Sequence, residues 1–470
     1  MKQALWHWHE LIAASGGSAD GNSPAAIGGV SIDTRTIEPG DLFVALKDTR
    51  DGHDFVGAAF AAGAAAALVS HTYKRAAHDG ALIRTPDPLA ALQAIGIAAR
   101  GRLSPDARII AVTGSAGKTG TKEMLRACLS LQGATHASEK SYNNHWGVPL
   151  TLARMPRETR FGVFEIGMNH AGEITPLTRM VRPHAAIVTN VFPVHLGNFP
   201  SEAAIAEAKA EIFTGLEPGG VAIINRDNPH DTLLRSRAEA AGARIVMFGQ
   251  HPDADVRILI SQLGLETKLI GIKLFGEDFE YELGTPGEHY ARNSLAVLAA
   301  IKLAGADPEI CKAALGVIEA PAGRGRRLNL TIGGRRILLI DESYNANPAS
   351  MAAALRTMAG LTRDDYPRRI AVLGDMLELG PATPALHKEL GEPIAAAGTD
   401  RVFACGPSMR LLYDDLPGTV KGCWAPTSTD LLAPLLAELR AGDAVMIKGS
   451  LGSNMAPLVK ALLSQASQSA

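Results

Sequence analysis

The chain has 470 residues, 46% of them hydrophobic and 20% charged, with a formal net charge of -2 at pH 7. That length holds about two to four domains, and the composition is that of a globular protein rather than a disordered one. A charge so near zero supplies no global field to draw nucleic acid or an acidic membrane surface, so neither is expected as a partner.

The N-terminal stretch from Met1 to Glu10 lacks the charged-then-apolar design of a targeting segment. The first section runs to residue 105. It contains the segments Val30 to Arg35 and Gly40 to Leu46, then an apolar stretch at 55–69 that is mostly alanine and glycine. This stretch is too short to span a bilayer and predicts a buried helix. Residues 102–106 read as a linker. The second section, 106–320, alternates short apolar strands at 109–113, 162–166, 185–189, 221–225 and 244–248 with helical patterns. Such alternation predicts a parallel sheet covered by helices on both faces. Strands with Gly-containing turns at 255–283 predict an antiparallel extension, and 287–304 predicts a helix. A break at 319–325 opens the third section, 321–470, with strands at 337–340, 370–373, 402–405 and 444–447 in a second α/β layer domain; the last seven residues read as frayed. Cys128, Cys311, Cys405 and Cys423 show no C-x-x-C spacing, which fits buried thiols in a reducing compartment. A soluble cytoplasmic protein with no membrane insertion is expected.

The strand at 109–113 runs into Gly114-Ser115-Ala116-Gly117-Lys118-Thr119, and a helical pattern follows with Met124, Leu125, Cys128 and Leu129 on one face. Glycines let backbone N–H groups approach an anion, and a helix N-terminus adds positive potential. Lys118 is placed to reach the β- and γ-phosphates, and Thr119 to put its hydroxyl on Mg²⁺. The loop lacks the first glycine of G-x-x-x-x-G-K-[ST], since Val112 stands there. The reading is a nucleoside triphosphate site. In a parallel sheet the strand C-termini line the ligand crevice. Glu165 and His195 follow two such strands and are metal-ligand candidates. Lys209 lies in a helical pattern and reads as an exposed helix lysine. Asp341 to Pro348 follows another strand; its small polar groups suit a ribose or an amide, while Asn347-Pro348 also favours a turn. Arg324 offers a cation for a phosphate or a solvated surface charge. Lys448 with Ser450 offers a further cation and hydroxyl.

In order along the chain, 113–122, Tyr142 to Pro149, Glu165-Ile166-Gly167, Thr189-Asn190-Val191 with His195, Ala208 to Glu211, His289 to Asn293, Asp341 to Pro348 and Leu373 to Gly380 resemble the motifs of the Mur ligase family. The resemblance implies a small N-terminal α/β domain (1–105) binding a UDP-linked substrate, a central P-loop-type ATP domain (106–320) and a C-terminal Rossmann-like α/β ligase domain (321–470). It implies a monomer that uses ATP and two Mg²⁺ ions to join D-alanyl-D-alanine to UDP-N-acetylmuramoyl-tripeptide through an acyl phosphate. By resemblance, residues 114–119, Asn293, Arg324 and Asp341 contact the nucleotide. Glu165, His195 and a carbamylated Lys209 join Thr119 at metal. Thr34, Arg35, Asn143, Asn144, His145, Asn345, Asn347 and Lys448 face the other substrates. Two departures stand out: Asp341-Glu342 where relatives often carry two aspartates, and Leu451 where many carry arginine. A folate-polyglutamate ligase and a nucleotide-driven switch remain alternatives, distinguished by substrate and by the need for an amine acceptor.

Overall fold

The computed structural model describes residues 4–139, 141–193, 197–263, 268–285 and 287–467. The predicted metal ligand His195 lies outside them. The described secondary structure forms a two-stranded ribbon and three larger sheets.

The first section contains β1 (Trp6–His7), β2 (Ser18–Asp20), β3 (Ala26–Ile27), β4 (Gly29–Ser31), β5 (Asp41–Val44), β6 (Ala66–Ser70) and β7 (Ala81–Thr85). β1 pairs with β3, and the others form a sheet in the order β2-β7-β6-β5-β4. β4 to β7 are parallel, and β2 is antiparallel at the edge. Helices α1 (Trp8–Ser15), α2 (Val56–Ala61) and α3 (Pro88–Gly101) accompany them. The predicted alanine-rich helix is corrected here: α2 stops at Ala61, Gly63 turns the chain at φ +103°, and the next apolar run is the parallel strand β6. Ala66 to Val69 are wholly buried. A strand covered on both faces is apolar throughout, so periodicity cannot separate it from a buried helix.

The central sheet uses β8 (Arg108–Thr113), β9 (Thr135–Ala137), β10 (Phe161–Glu165), β11 (Ala185–Val188), β12 (Val221–Asn225), β13 (Arg244–Gly249), β14 (Val256–Leu263), β15 (Lys268–Leu274) and β16 (Glu277–Glu282). Their order is β16-β15-β14-β13-β12-β11-β8-β10-β9. The sheet is parallel as far as β14, and β14 to β16 form the expected antiparallel extension. Its helices are α4 (Lys118–Ser130), α5 (Gly147–Ala153), α6 (Ile174–Val181), α7 (Glu202–Ala210), α8 (Asp231–Ala240), α9 (Glu288–Leu303) and α10 (Pro308–Val317). Alternate residues of β8 feed opposite cores: Ile110 and Val112 pack with α4 and α9, Ile109 and Ala111 with α5, α6 and α7. α3 packs on α5, and Trp6 Nε1 donates to Ala153 O at 2.9 Å, which joins the first section to the second.

The chain leaves β8 for β9 and β10 on one side and returns to β11 on the other. That reversal opens a crevice at the strand C-termini, the usual ligand position in such sheets.

The last sheet comprises β17 (Arg326–Ile332), β18 (Arg335–Glu342), β19 (Arg368–Gly374), β20 (Arg401–Cys405), β21 (Lys421–Ala425) and β22 (Asp443–Lys448), in the order β17-β18-β22-β19-β20-β21. β17 is antiparallel and the rest parallel. Helix α11 (Pro348–Ala359) follows β18. All four cysteines are free thiols, three of them buried. Among the described residues no helix is long and apolar enough to cross a membrane.

Candidate active site

β8 ends at the phosphate loop. Gly114 and Gly117 have φ +149° and +81°. A Cβ at Gly114 would collide with Thr189 Oγ1, and one at Gly117 with Asn293 Nδ2. Both glycines therefore serve backbone conformation and close approach. The loop is braced by the residues after β11. Ser115 N donates to Asn190 O at 3.0 Å and Ala116 N to Asn190 Oδ1 at 2.8 Å. Thr189 Oγ1 donates to Ala116 O at 2.7 Å, and Ser115 Oγ to Phe192 O at 3.1 Å. In this structure the N–H groups of Ser115 and Ala116 hold the loop's shape. The donors left for an anion are those of the first turn of α4, which have no intrahelical acceptor and sit at the positive end of the helix.

Lys118 Nζ donates to Gly114 O at 2.6 Å. Opposite it, β10 pairs in register with β8 and ends at Glu165, which is wholly buried. Glu165 Oε2 accepts from Thr119 Oγ1 at 2.8 Å and Oε1 from Asn143 Nδ2 at 2.7 Å. A hydroxyl and a carboxylate make the oxygen donor set that Mg²⁺ takes, so these two residues fit the ion. Among the described residues no group of three His, Cys, Asp or Glu is gathered for a metal.

Lys209 is not the exposed lysine that its helical pattern suggests. Ser201 caps α7, and the packed face of that helix carries Lys209 inward to 3% exposure. Burial, and then the charge of Lys118, hold its amine well below the usual lysine range. Burial also lowers Lys118; Glu165 opposes that shift and Arg324 adds to it. Lys118 thus feels the charges of Glu165 and Arg324, and Lys209 feels that of Lys118.

Arg324 comes from the break before the third sheet, between Gly323 and Gly325 at φ +75° and +94°. Its carbonyl accepts from Tyr290 Oη at 2.7 Å, and its guanidinium lies 4.0 Å over the ring of Tyr344. Asp341 is buried; its Oδ2 accepts from Gly323 N at 2.8 Å and its Oδ1 from Ser343 Oγ at 2.6 Å. In this arrangement the carboxylate fastens the Arg324 turn. Asn293 stands against Gly117, beside the phosphate loop.

Mur ligase models match the chain in three parts: the family's catalytic domain over residues 26–127, the middle domain over 112–301 and the glutamate ligase domain over 326–451. The UDP-N-acetylmuramoyl-tripeptide–D-alanyl-D-alanine ligase of Escherichia coli (strain K12) is 36% identical over 443 residues, covering 92% of this chain and 93% of that one. The enzyme of that name from Bacillus subtilis (strain 168) is 35% identical over 445 residues, covering 93% of each chain. The crystal structure of MurF from Acinetobacter baumannii superposes with a TM-score of 0.84 at 29% identity, covering 98% of this chain and 99% of that one. The chain belongs to the Mur ligase family. It is a ligase, and its three-domain architecture is the family's.

Several of the residues expected at the substrates of this Mur ligase also make contacts within the protein. Asn144 Oδ1 accepts from Gly147 N at 2.9 Å at the start of α5, and His145 is exposed beside Trp146. Asn347 Oδ1 accepts from Ser350 N at 2.9 Å in a capping box that starts α11, the turn role its Asn-Pro sequence also allowed. Lys448 is buried and donates to Glu342 Oε2 at 3.2 Å and Asn345 O at 3.0 Å. Asn345 itself is exposed. Thr34 and Arg35 lie in a short turn after β4, where Arg35 pairs with Asp33. Sequence reasoning missed Lys122. It is wholly buried one turn after Lys118 and donates to Ser138 O at 2.6 Å, while Ser138 Oγ accepts from Glu165 N at 3.2 Å. The signal was a second lysine on the same helix face four residues on. Tyr290 and Tyr344, which place Arg324, lie inside the motifs that carry the family resemblance but were given no role of their own.

Proposed function

We propose that the chain joins D-alanyl-D-alanine to the terminal carboxylate of UDP-N-acetylmuramoyl-tripeptide, with ATP cleaved to ADP and phosphate. The supporting observation is the convergence of Lys118, Arg324 and the open first turn of α4 on one crevice beside Glu165 and Lys209. The reaction brings two anions together. The peptide carboxylate attacks the γ-phosphorus and ADP leaves, giving an acyl phosphate. The dipeptide amine then attacks the acyl carbon, phosphate leaves, and the amine's proton passes to solvent or phosphate. Positive groups in a dry site lower the repulsion of the first step, and fixed orientation supplies much of the rest.

Lys118, which donates to Gly114 O, is the loop's cation for the β- and γ-phosphates. Arg324 brings a second cation from the third sheet. Mg²⁺, when bound, neutralises phosphate charge; Thr119 and Glu165 would hold one ion, and a second falls to Lys209 as a carbamate together with His195. Burial favours the neutral amine of Lys209, and only a neutral amine adds CO₂. Thr34, Arg35, Asn143, His145 and Asn345 face the UDP-peptide and its acceptor. The enzyme works as a cytoplasmic monomer.

The test is phosphate release with ATP and the UDP-tripeptide, with and without D-alanyl-D-alanine. Release that requires the dipeptide and yields the pentapeptide is expected. Full-rate release without it would replace the ligase reading by that of a nucleotide switch. Tripeptides ending in diaminopimelate and in lysine, compared in this assay, identify the donor.

A further inference from the structure

Tyr344 touches both halves of the crevice. Its N–H donates to Gly323 O at 3.0 Å, and its ring lies 4.0 Å beneath the guanidinium of Arg324. Gly323 is pressed against it: a Cβ there would stand 2.9 Å from Tyr344 Cβ. Its hydroxyl crosses to the central section and donates to Ser141 Oγ at 2.6 Å.

Ser141 is no ordinary surface partner. It sits in the segment that grips Glu165 from both ends. Ser138 Oγ accepts from Glu165 N at 3.2 Å, and Asn143 Nδ2 donates to Glu165 Oε1 at 2.7 Å. Lys122, from the helix of the phosphate loop, fixes Ser138 O at 2.6 Å, and Asn143 N donates to Ser141 O at 2.8 Å. Arg324 Nη2 also donates to Ser141 Oγ, at a longer 3.5 Å, so Tyr344 supplies the shorter of two links between the turn that carries Arg324 and the segment that orients Glu165.

We propose that Tyr344 is a positioning residue for phosphoryl transfer: its ring aims Arg324 at the phosphate loop, and its hydroxyl, through Ser141, ties that cation to the geometry of Glu165. This inference rests on the ligase reading above. A platform under a guanidinium restricts its directions while keeping its charge, because the ring's negative face attracts the cation. The short hydroxyl bond makes the placement of Arg324 depend on the segment beside Glu165. The third sheet and the carboxylate then reach their working positions together.

The test is a double-mutant cycle in the full chain with Tyr344→Phe, Ser141→Ala and the pair. For each protein kcat, KM for ATP, the Mg²⁺ concentration giving half the maximal rate, and the melting temperature are measured. Each single change is expected to lower kcat about tenfold, with the pair no worse than either alone. The Mg²⁺ requirement should rise and the melting temperature stay near that of the wild type, a split that a purely structural role would not give. Tyr344→Leu, which removes the platform, should also raise KM for ATP. A wild-type kcat in Tyr344→Phe, or losses that multiply in the pair, would overturn the proposal. Should Ser141→Ala not fold, the kcat of Tyr344→Phe decides alone. Wild-type enzyme that releases phosphate without needing the dipeptide would instead overturn the ligase reading, and this inference with it.

Discussion

The central and C-terminal sheets present the same local design with opposite results. Both are largely parallel, and both place polar residues just beyond strand C-termini. In the central sheet the backbone braces the loop, while Lys118, Thr119, Glu165 and Lys209 gather at the crevice. In the C-terminal sheet the polar groups satisfy one another: Asp341 with Gly323 and Ser343, Asn347 with Ser350, Lys448 with Glu342 and Asn345 O. Polar residues after a strand mark a possible site. Whether they face a ligand depends on which of their bonds the fold has already made.

Substitutions can break this comparison. Lys118→Ala should lower kcat about a thousandfold, read as ADP release, with the melting temperature little changed, since it removes a cation from the transferring phosphoryl group. Near-normal turnover would take the phosphate loop out of the reaction. Lys209→Ala should cost about a hundredfold or more, with partial return on adding acetate or formate if a carbamate is the working form.

The same lysine gives a pH signature. Burial and the charge of Lys118 lower the proton affinity of its amine in the native state relative to the unfolded chain, so its burial costs stability increasingly as pH falls below the usual lysine value of 10.5. Lys209→Met should therefore stabilise metal-free, CO₂-depleted protein more at about pH 7 than at about pH 9, measured by urea unfolding. An equal gain at both would show that the amine is charged in the fold.

On the C-terminal side the effects should fall on stability. Lys448→Met leaves Glu342 unpaired and should cost about 3 kcal/mol in urea unfolding. The smallest effect is Asn347→Ala, a lost helix cap of about 1 kcal/mol, with kcat largely kept. A large fall in kcat without loss of stability in either variant would return that residue to the substrate site.

The strand–loop–helix at 108–130 was legible because each of its signals is local: an apolar run, two glycines that only glycine can satisfy, and an amphipathic helix. The parallel alternation in both later sections was legible for the same reason. Ala66–Ser70 was not, because full burial erases the alternation that tells strand from helix. β17 and β21, half-exposed edge strands, also left weak patterns. The structural role of Asn347 was legible, since its partner Ser350 is three residues on; that of Lys448 was not, since its partner Glu342 lies on a neighbouring strand.

The sequence by itself determined where a triphosphate tail can sit and which ordered motifs place the chain among the Mur ligases, because those features repeat in short stretches of chain. Only the tertiary structure decided which charges remain available. It buried Lys209 beside Lys118, neutralised Lys448 with Glu342, and brought Tyr344 to Ser141 across 203 residues of chain. Burial and pairing are properties of neighbours in space, and they set whether a charged side chain is held ready for a ligand or committed to the fold.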